Sequence, residues 1–145
     1  MTTIWILSAN SSRAALFSTD SPTAPLTQLA EFDNPDARAK SSDLGADRPG
    51  RTYDRQGAGR HAMEFELDPQ KREQMRFAKT LADTLEKGRV ENAYERLVLV
   101  ASPTFLGMLR DELAAPLQSM VSLEVDKDYC ALRPEELRAR LPERL

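Results

Sequence analysis

Cysteine and histidine each occur once in the 145 residues, as Cys130 and His61. A lone cysteine has no intramolecular partner, and one histidine leaves no Cys/His set of metal-ligand spacing, so disulfide scaffolds and zinc modules are excluded. Long apolar runs are also missing: nothing approaches the roughly 18 residues that a membrane helix needs. Ile4-Trp5-Ile6-Leu7 is too short for a signal-peptide core and has no basic residues before it, so the expectation is a cytoplasmic protein that does not engage a membrane. Charge of one sign is lacking too, with Lys+Arg 20 against Asp+Glu 23 and a net charge of −3. That balance excludes a polybasic nucleic-acid binder, and 41% hydrophobic residues exclude a disordered chain. What remains is one globular domain, residues 1–145, long enough to bury a core.

The first third reads as three short strands, Thr3 to Ser8, Ala14 to Ser18 and Leu26 to Phe32. Asn10-Ser11-Ser12 is a hairpin turn, and Asp20-Ser21-Pro22-Thr23-Ala24-Pro25 is a two-proline connection that cannot continue a ladder. Asp68-Pro69 supplies an N-cap and first-turn proline for a helix running to Lys87, with Gly88 as its stop. Met75, Ala78, Leu81, Ala82 and Leu85 share its apolar face, and Lys71, Arg72, Glu73, Arg76 and Lys79 form a mostly basic, solvated leading half. Tyr94 to Ala101, with its Leu97-Val98-Leu99-Val100 run, reads as the central strand, covered on both faces. Ser102-Pro103 repeats the capping signature before a helix marked by Leu106, Leu109 and Leu113, which ends before Pro116. Val121 to Val125 is a fifth strand, and Arg133-Pro134-Glu135-Glu136 opens a last short helix. The order β-β-β-α-β-α-β-α, a meander followed by right-handed crossovers, defines a three-layer α/β domain with a mixed five-stranded sheet.

Between the third strand and the first helix, at about residues 35–66, apolar periodicity stops. Four of the six glycines lie there, at 45, 50, 57 and 59. A segment of this length without periodic structure is usually functional or disordered. From Arg48 to His61 four arginines stand against one acid, a local +3 on a chain of −3. Arg48, Arg51, Arg55 and Arg60 offer forked donors matched to phosphate or carboxylate, and Gly57 and Gly59 allow close backbone approach, so these six residues are the candidate anion- or RNA-binding set. The plainer reading, a solvated loop paired with Asp43, Asp47 and Asp54, carries equal weight. Gly57-Ala58-Gly59 follows no strand and is not the dinucleotide fingerprint.

Gln56 and His61 are the candidate catalytic pair. An amide orients a water and an imidazole titrates near neutrality, although a lone histidine more often only hydrogen-bonds across its loop. Cys130 follows Asp126 and Asp128, a setting that disfavours the thiolate, and reads as structural or incidental. Glu124, Asp126 and Asp128 alternate as a hard-cation site would, yet an alternating strand end is more often solvated. The first strand offers no carboxylate, which rules out a two-metal nuclease on a ribonuclease-H-like sheet. Trp5 and the Met63/Phe65 pair read as core and anchor. No cofactor or metal is indicated.

Ile4-Trp5-Ile6-Leu7-Ser8-Ala9-Asn10, Asp47-Arg48-Pro49-Gly50-Arg51, Gly59-Arg60-His61-Ala62-Met63-Glu64 and the Leu97 to Arg110 strand-to-helix segment resemble the bacterial host-attachment protein family. Asp126-Lys127-Asp128 and Pro134-Glu135-Glu136-Leu137-Arg138 extend the resemblance to essentially the whole chain. The family is labelled as required for attachment to host cells, and its domain is similar to the catalytic middle domain of archaeo-eukaryotic peptide release factors, where a Gly-Gly-Gln loop orients water against the ester of peptidyl-tRNA. The corresponding place here is Gln56 to His61. It lacks that tripeptide, with Gln56 ahead of its glycines. The resemblance implies a ribosome- or tRNA-facing module with an indirect part in attachment. The alternatives are a peptidyl-tRNA hydrolase using Gln56 or His61 with Arg60 near the oxyanion, and an adaptor docking an acidic protein partner.

Overall fold

The computed structural model describes residues 2–35 and 68–145. Three strands come first: β1 (Ile4–Ala9), β2 (Arg13–Thr19) and β3 (Thr27–Asp33). The long helix α1 (Pro69–Val90) leads to β4 (Arg96–Ala101) and α2 (Pro103–Glu112). A single turn, α3 (Ala115–Gln118), then precedes β5 (Val121–Val125) and α4 (Pro134–Arg140). The five strands form one mixed sheet in the order β3-β2-β1-β4-β5, antiparallel across β1/β2 and β2/β3 and parallel across β1/β4 and β4/β5. The α/β class and the mixed five-stranded sheet are those expected from the pattern of elements. The middle position, however, belongs to β1. The longer apolar run of β4 marks burial on both faces rather than centrality, and β1 is as fully covered.

Period-two alternation assigns the two faces. Leu7 and Ala9 of β1 pack with Leu97 and Leu99 of β4 beneath α1, α2 and α3. Ile4 and Ile6 pack with Phe17, Val98 and Val100 beneath Leu137 and Leu141 of α4 and the residue that follows it. That second cover reaches β1 and β4 but leaves β3 open: Leu29, on this face, is 48% exposed.

Asp68 caps α1 as its sequence signature requires, accepting from the Lys71 N–H at 2.7 Å. Ser102 occupies the N-cap position of α2, but its hydroxyl makes no capping bond. Two expectations for α1 are corrected. The helix α1 continues through Gly88 to Val90, and the left-handed residue that ends it is Asn92, at φ 57. Gly88 is instead a contact point: a β-carbon there would lie 2.5 Å from Cη2 and Cζ3 of Trp5. On the apolar face Phe77 takes the buried place expected of Met75, which is 38% exposed, and Glu73 is buried within the basic half. The helix α2 ends at Glu112, before Pro116 as expected, and that proline sits in the first turn of α3.

Trp5 belongs to the core as expected. Its ring stacks on Tyr94 with centroids 4.4 Å apart, and the Tyr94 hydroxyl donates to the Leu85 carbonyl at 2.6 Å. Burial, then the charge of Glu86, pushes the Tyr94 phenol up to about 12.

Candidate functional site

Four strands that run in the same direction, β1, β3, β4 and β5, end at one edge of the sheet. In open α/β sheets this carboxyl edge is where crevices form. Here the turn after β1 builds it. Asn10 Oδ1 accepts from the backbone N–H of Ser12 (2.8 Å) and Arg13 (2.9 Å), closing the hairpin that Asn10-Ser11-Ser12 predicts. Its Nδ2 donates to both carboxylate oxygens of Asp128, at 3.1 and 3.3 Å. Asp128 in turn accepts from the Cys130 N–H at 3.1 Å, and the Cys130 thiol donates to the Arg13 carbonyl at 3.7 Å. The segment after β5 is thereby latched onto the first hairpin.

Between the latch and β3 lies a cleft of about 470 Å³, lined by Ser8, Arg13, Ala15, Glu31, Asp33 and Cys130 among others. The pairing register puts these strand residues on one face: Ser8 opposes Ala15, Ala15 opposes Glu31, and Arg13 opposes Asp33. Ser8 is 2% exposed, and its hydroxyl has no hydrogen-bond partner. Burial, reinforced by the charge of Asp128, pushes the Cys130 thiol up to about 11. The expected inert thiol is therefore supported, with burial ahead of the acidic setting as its cause.

The same edge anchors both ends of the segment that the sequence singles out. Asn34, just after β3, donates from its backbone to Ser12 O (2.8 Å) and from Nδ2 to Ser11 O (3.0 Å) and Glu73 O (3.4 Å). Asp68 begins α1 close by in the chain, and the leading half of that helix shows Lys71, Arg72, Arg76 and Lys79 on its exposed surface. Arg76 pairs with Glu73 at 3.2 Å and Lys79 with Asp83 at 3.4 Å. Arg48, Arg51, Arg55, Gln56, Gly57, Gly59, Arg60 and His61 lie outside the described residues, as do Met63 and Phe65.

The alternating acids do not assemble. Glu124 takes a forked pair of hydrogen bonds from Arg110, at 2.6 and 3.3 Å, whereas Asp128 serves the latch, and β5 has ended before Asp126. No group of three potential metal-ligating side chains occurs among the described residues. Nor, among them, is any helix long and apolar enough to cross a membrane. Sequence reasoning missed Ser8, Arg13, Glu31 and Asp33. Their two-residue spacings mark shared faces, but only the register of β1, β2 and β3 brings those faces to one cleft.

These features define a three-layer α/β domain with a built carboxyl edge. The family model described as "Protein required for attachment to host cells" matches residues 5–141, and the chain belongs to that family. A search of curated proteins finds no match.

Proposed function

We propose that this member of the host-attachment family is an RNA-associated module. In this reading Arg48, Arg51, Arg55 and Arg60 contact phosphates of tRNA or the ribosome, and attachment is an indirect outcome of its work in the cell. The observation that carries the reading is the concentration of charge: +3 between Arg48 and His61 on a chain of −3. The anchoring of that segment's flanks beside the exposed cationic half of α1 supports it. Guanidinium groups suit phosphate oxygens, and close glycines allow the backbone to join them.

Co-sedimentation with ribosomes and tRNA across a salt series tests the reading, comparing the wild type with a variant carrying Arg48→Glu, Arg51→Glu, Arg55→Glu and Arg60→Glu. Binding should weaken with salt, with the log–log slope falling by about 0.7 to 0.9 for each contact removed. A variant of unchanged circular dichroism should not bind. Absence of wild-type binding at low salt would overturn the proposal and leave an acidic protein as the partner to seek. Where binding is found, turnover of peptidyl-tRNA that His61→Ala or Gln56→Ala abolishes would make the module a hydrolase.

A further inference from the structure

Unmatched polar groups gather in the carboxyl-edge cleft, apart from the arginine-rich segment. The Ser8 hydroxyl sits at its floor, 2% exposed and without a partner. A buried hydroxyl is normally satisfied, because leaving it without a partner keeps its full desolvation cost. Arg13 and Glu31 both line the cleft, and neither makes an ion pair among the described residues. The two strands that carry them are neighbours, with Arg13 opposite Asp33 and Glu31 opposite Ala15. The cleft thus presents a forked cation and a carboxylate that leave each other unpaired, with a buried hydroxyl on β1, the other neighbour of the strand that bears Arg13. Its volume of about 470 Å³ falls within the range of about 300–1,000 Å³ typical of small-molecule sites.

We propose that this cleft binds a small zwitterion of the α-amino-acid class. The ligand's carboxylate is taken by the Arg13 guanidinium, whose planar fork matches two carboxylate oxygens. Its ammonium group is taken by Glu31, and the Ser8 hydroxyl supplies a further donor at the floor. A simple anion would face Glu31 and Asp33 as like charges, and a simple cation would face Arg13. A ligand bearing both charges satisfies the two side chains together. The Asn10–Asp128 latch holds Cys130 and the first hairpin in place around the site, so the cleft is formed before the ligand arrives.

The test is an amide-resolved NMR titration of the full isotope-labelled chain with glycine, L-alanine, L-serine, L-glutamate and L-lysine, one at a time. N-acetylated and amidated forms of glycine, L-alanine and L-serine, together with acetate and inorganic phosphate, serve as controls that carry charge of one sign only. At least one free amino acid should give saturable shifts centred on Ser8, Arg13, Glu31 and Cys130. Blocking either charge should weaken binding by about tenfold or more, as should Arg13→Gln and Glu31→Gln, because a hydrogen bond to a charged group contributes about 1.5–3 kcal/mol. Both substituted side chains are exposed, and the same spectra report whether each variant is folded. Shifts from none of the five amino acids at millimolar concentration would overturn the proposal. So would equal binding of the acetylated form, undiminished binding by both folded variants, or a response to phosphate alone.

Discussion

Replacing Gly88 by alanine tests the packing of α1 against the sheet. In the interior of a helix this substitution alone gains about 1 kcal/mol, because alanine restricts the unfolded chain and covers backbone. Here the added methyl would meet Trp5 Cη2 and Cζ3 at 2.5 Å and Tyr94 Cε1 at 3.0 Å. The Trp5 ring has little freedom to retreat, since it stacks on a tyrosine that is 3% exposed and tied to the Leu85 carbonyl. Overpacking of this kind costs about 1–3 kcal/mol, and a displaced aromatic pair loses about 0.5–1.5 kcal/mol more. Gly88→Ala should therefore destabilise the domain by about 1–2 kcal/mol net, lowering the melting temperature by about 2–4 °C for each kcal/mol at this size. In a Trp5→Phe background the smaller ring leaves room for the methyl. There the same substitution should become neutral or stabilising, a coupling of about 2 kcal/mol. Urea unfolding followed by far-ultraviolet circular dichroism measures all four proteins at constant m-value. Equal destabilisation in both backgrounds, or stabilisation in the wild type, would refute the argument.

The Cys130 thiol ordinarily ionises near 9 and is pushed up to about 11, which leaves about a hundredfold less thiolate at neutral pH. Iodoacetamide should accordingly label the native protein far more slowly than the urea-unfolded chain, with a rate that rises through pH 11; an inflection at or below 9 would contradict the burial argument. The same shift has a linkage consequence, because between those two values the folded state keeps a proton that the unfolded state has lost. Stability should therefore be full below pH 9 and fall as pH rises toward 11, which unfolding curves of the wild type and Cys130→Ala would separate. Arg138 donates to the carbonyls of Pro22, Ala24, Pro142 and Glu143, tying the segment after α4 to the connection between β2 and β3. Arg138→Met, which keeps the stem and removes the donors, should cost about 2–3 kcal/mol and make both segments open to limited proteolysis; unchanged stability and cleavage would show that water replaces those bonds.

Most of the scaffold is legible in the sequence because its signals are local. The Asn10 turn, the Asp68-Pro69 cap and the alternating or continuous apolar runs each act within a few residues of themselves. The misread features have causes far away in the chain. Gly88 follows Lys87 as a helix stop would, yet its lack of a side chain answers to Trp5, on a strand laid down much earlier. Met75 and Phe77 have equal claim to burial by hydrophobicity, and the contact of Phe77 with Phe105 of α2, with centroids 5.9 Å apart, decides between them. The cleft is the extreme case. Ser8, Arg13 and Glu31 come from three strands and carry no mutual spacing, so no motif could announce them, whereas the family membership rests on contiguous stretches and can be recognised in the sequence.

The place of β1 in the middle of the sheet has a consequence for how the chain comes to be folded on the ribosome. Ile4 pairs with Arg96 and Ala9 with Ala101, so the strand synthesised first obtains one of its two neighbours only after most of the chain has emerged. Until then the meander of β1, β2 and β3 holds Ile4, Ile6 and Leu7 with one edge unpaired, and the face that α4 covers waits longer still. Long-range pairing of this kind slows folding and prolongs the exposure of sticky edges. The nascent domain thus passes through a stage in which its most buried strand is its most vulnerable, and a chaperone acting early in translation would find its target there.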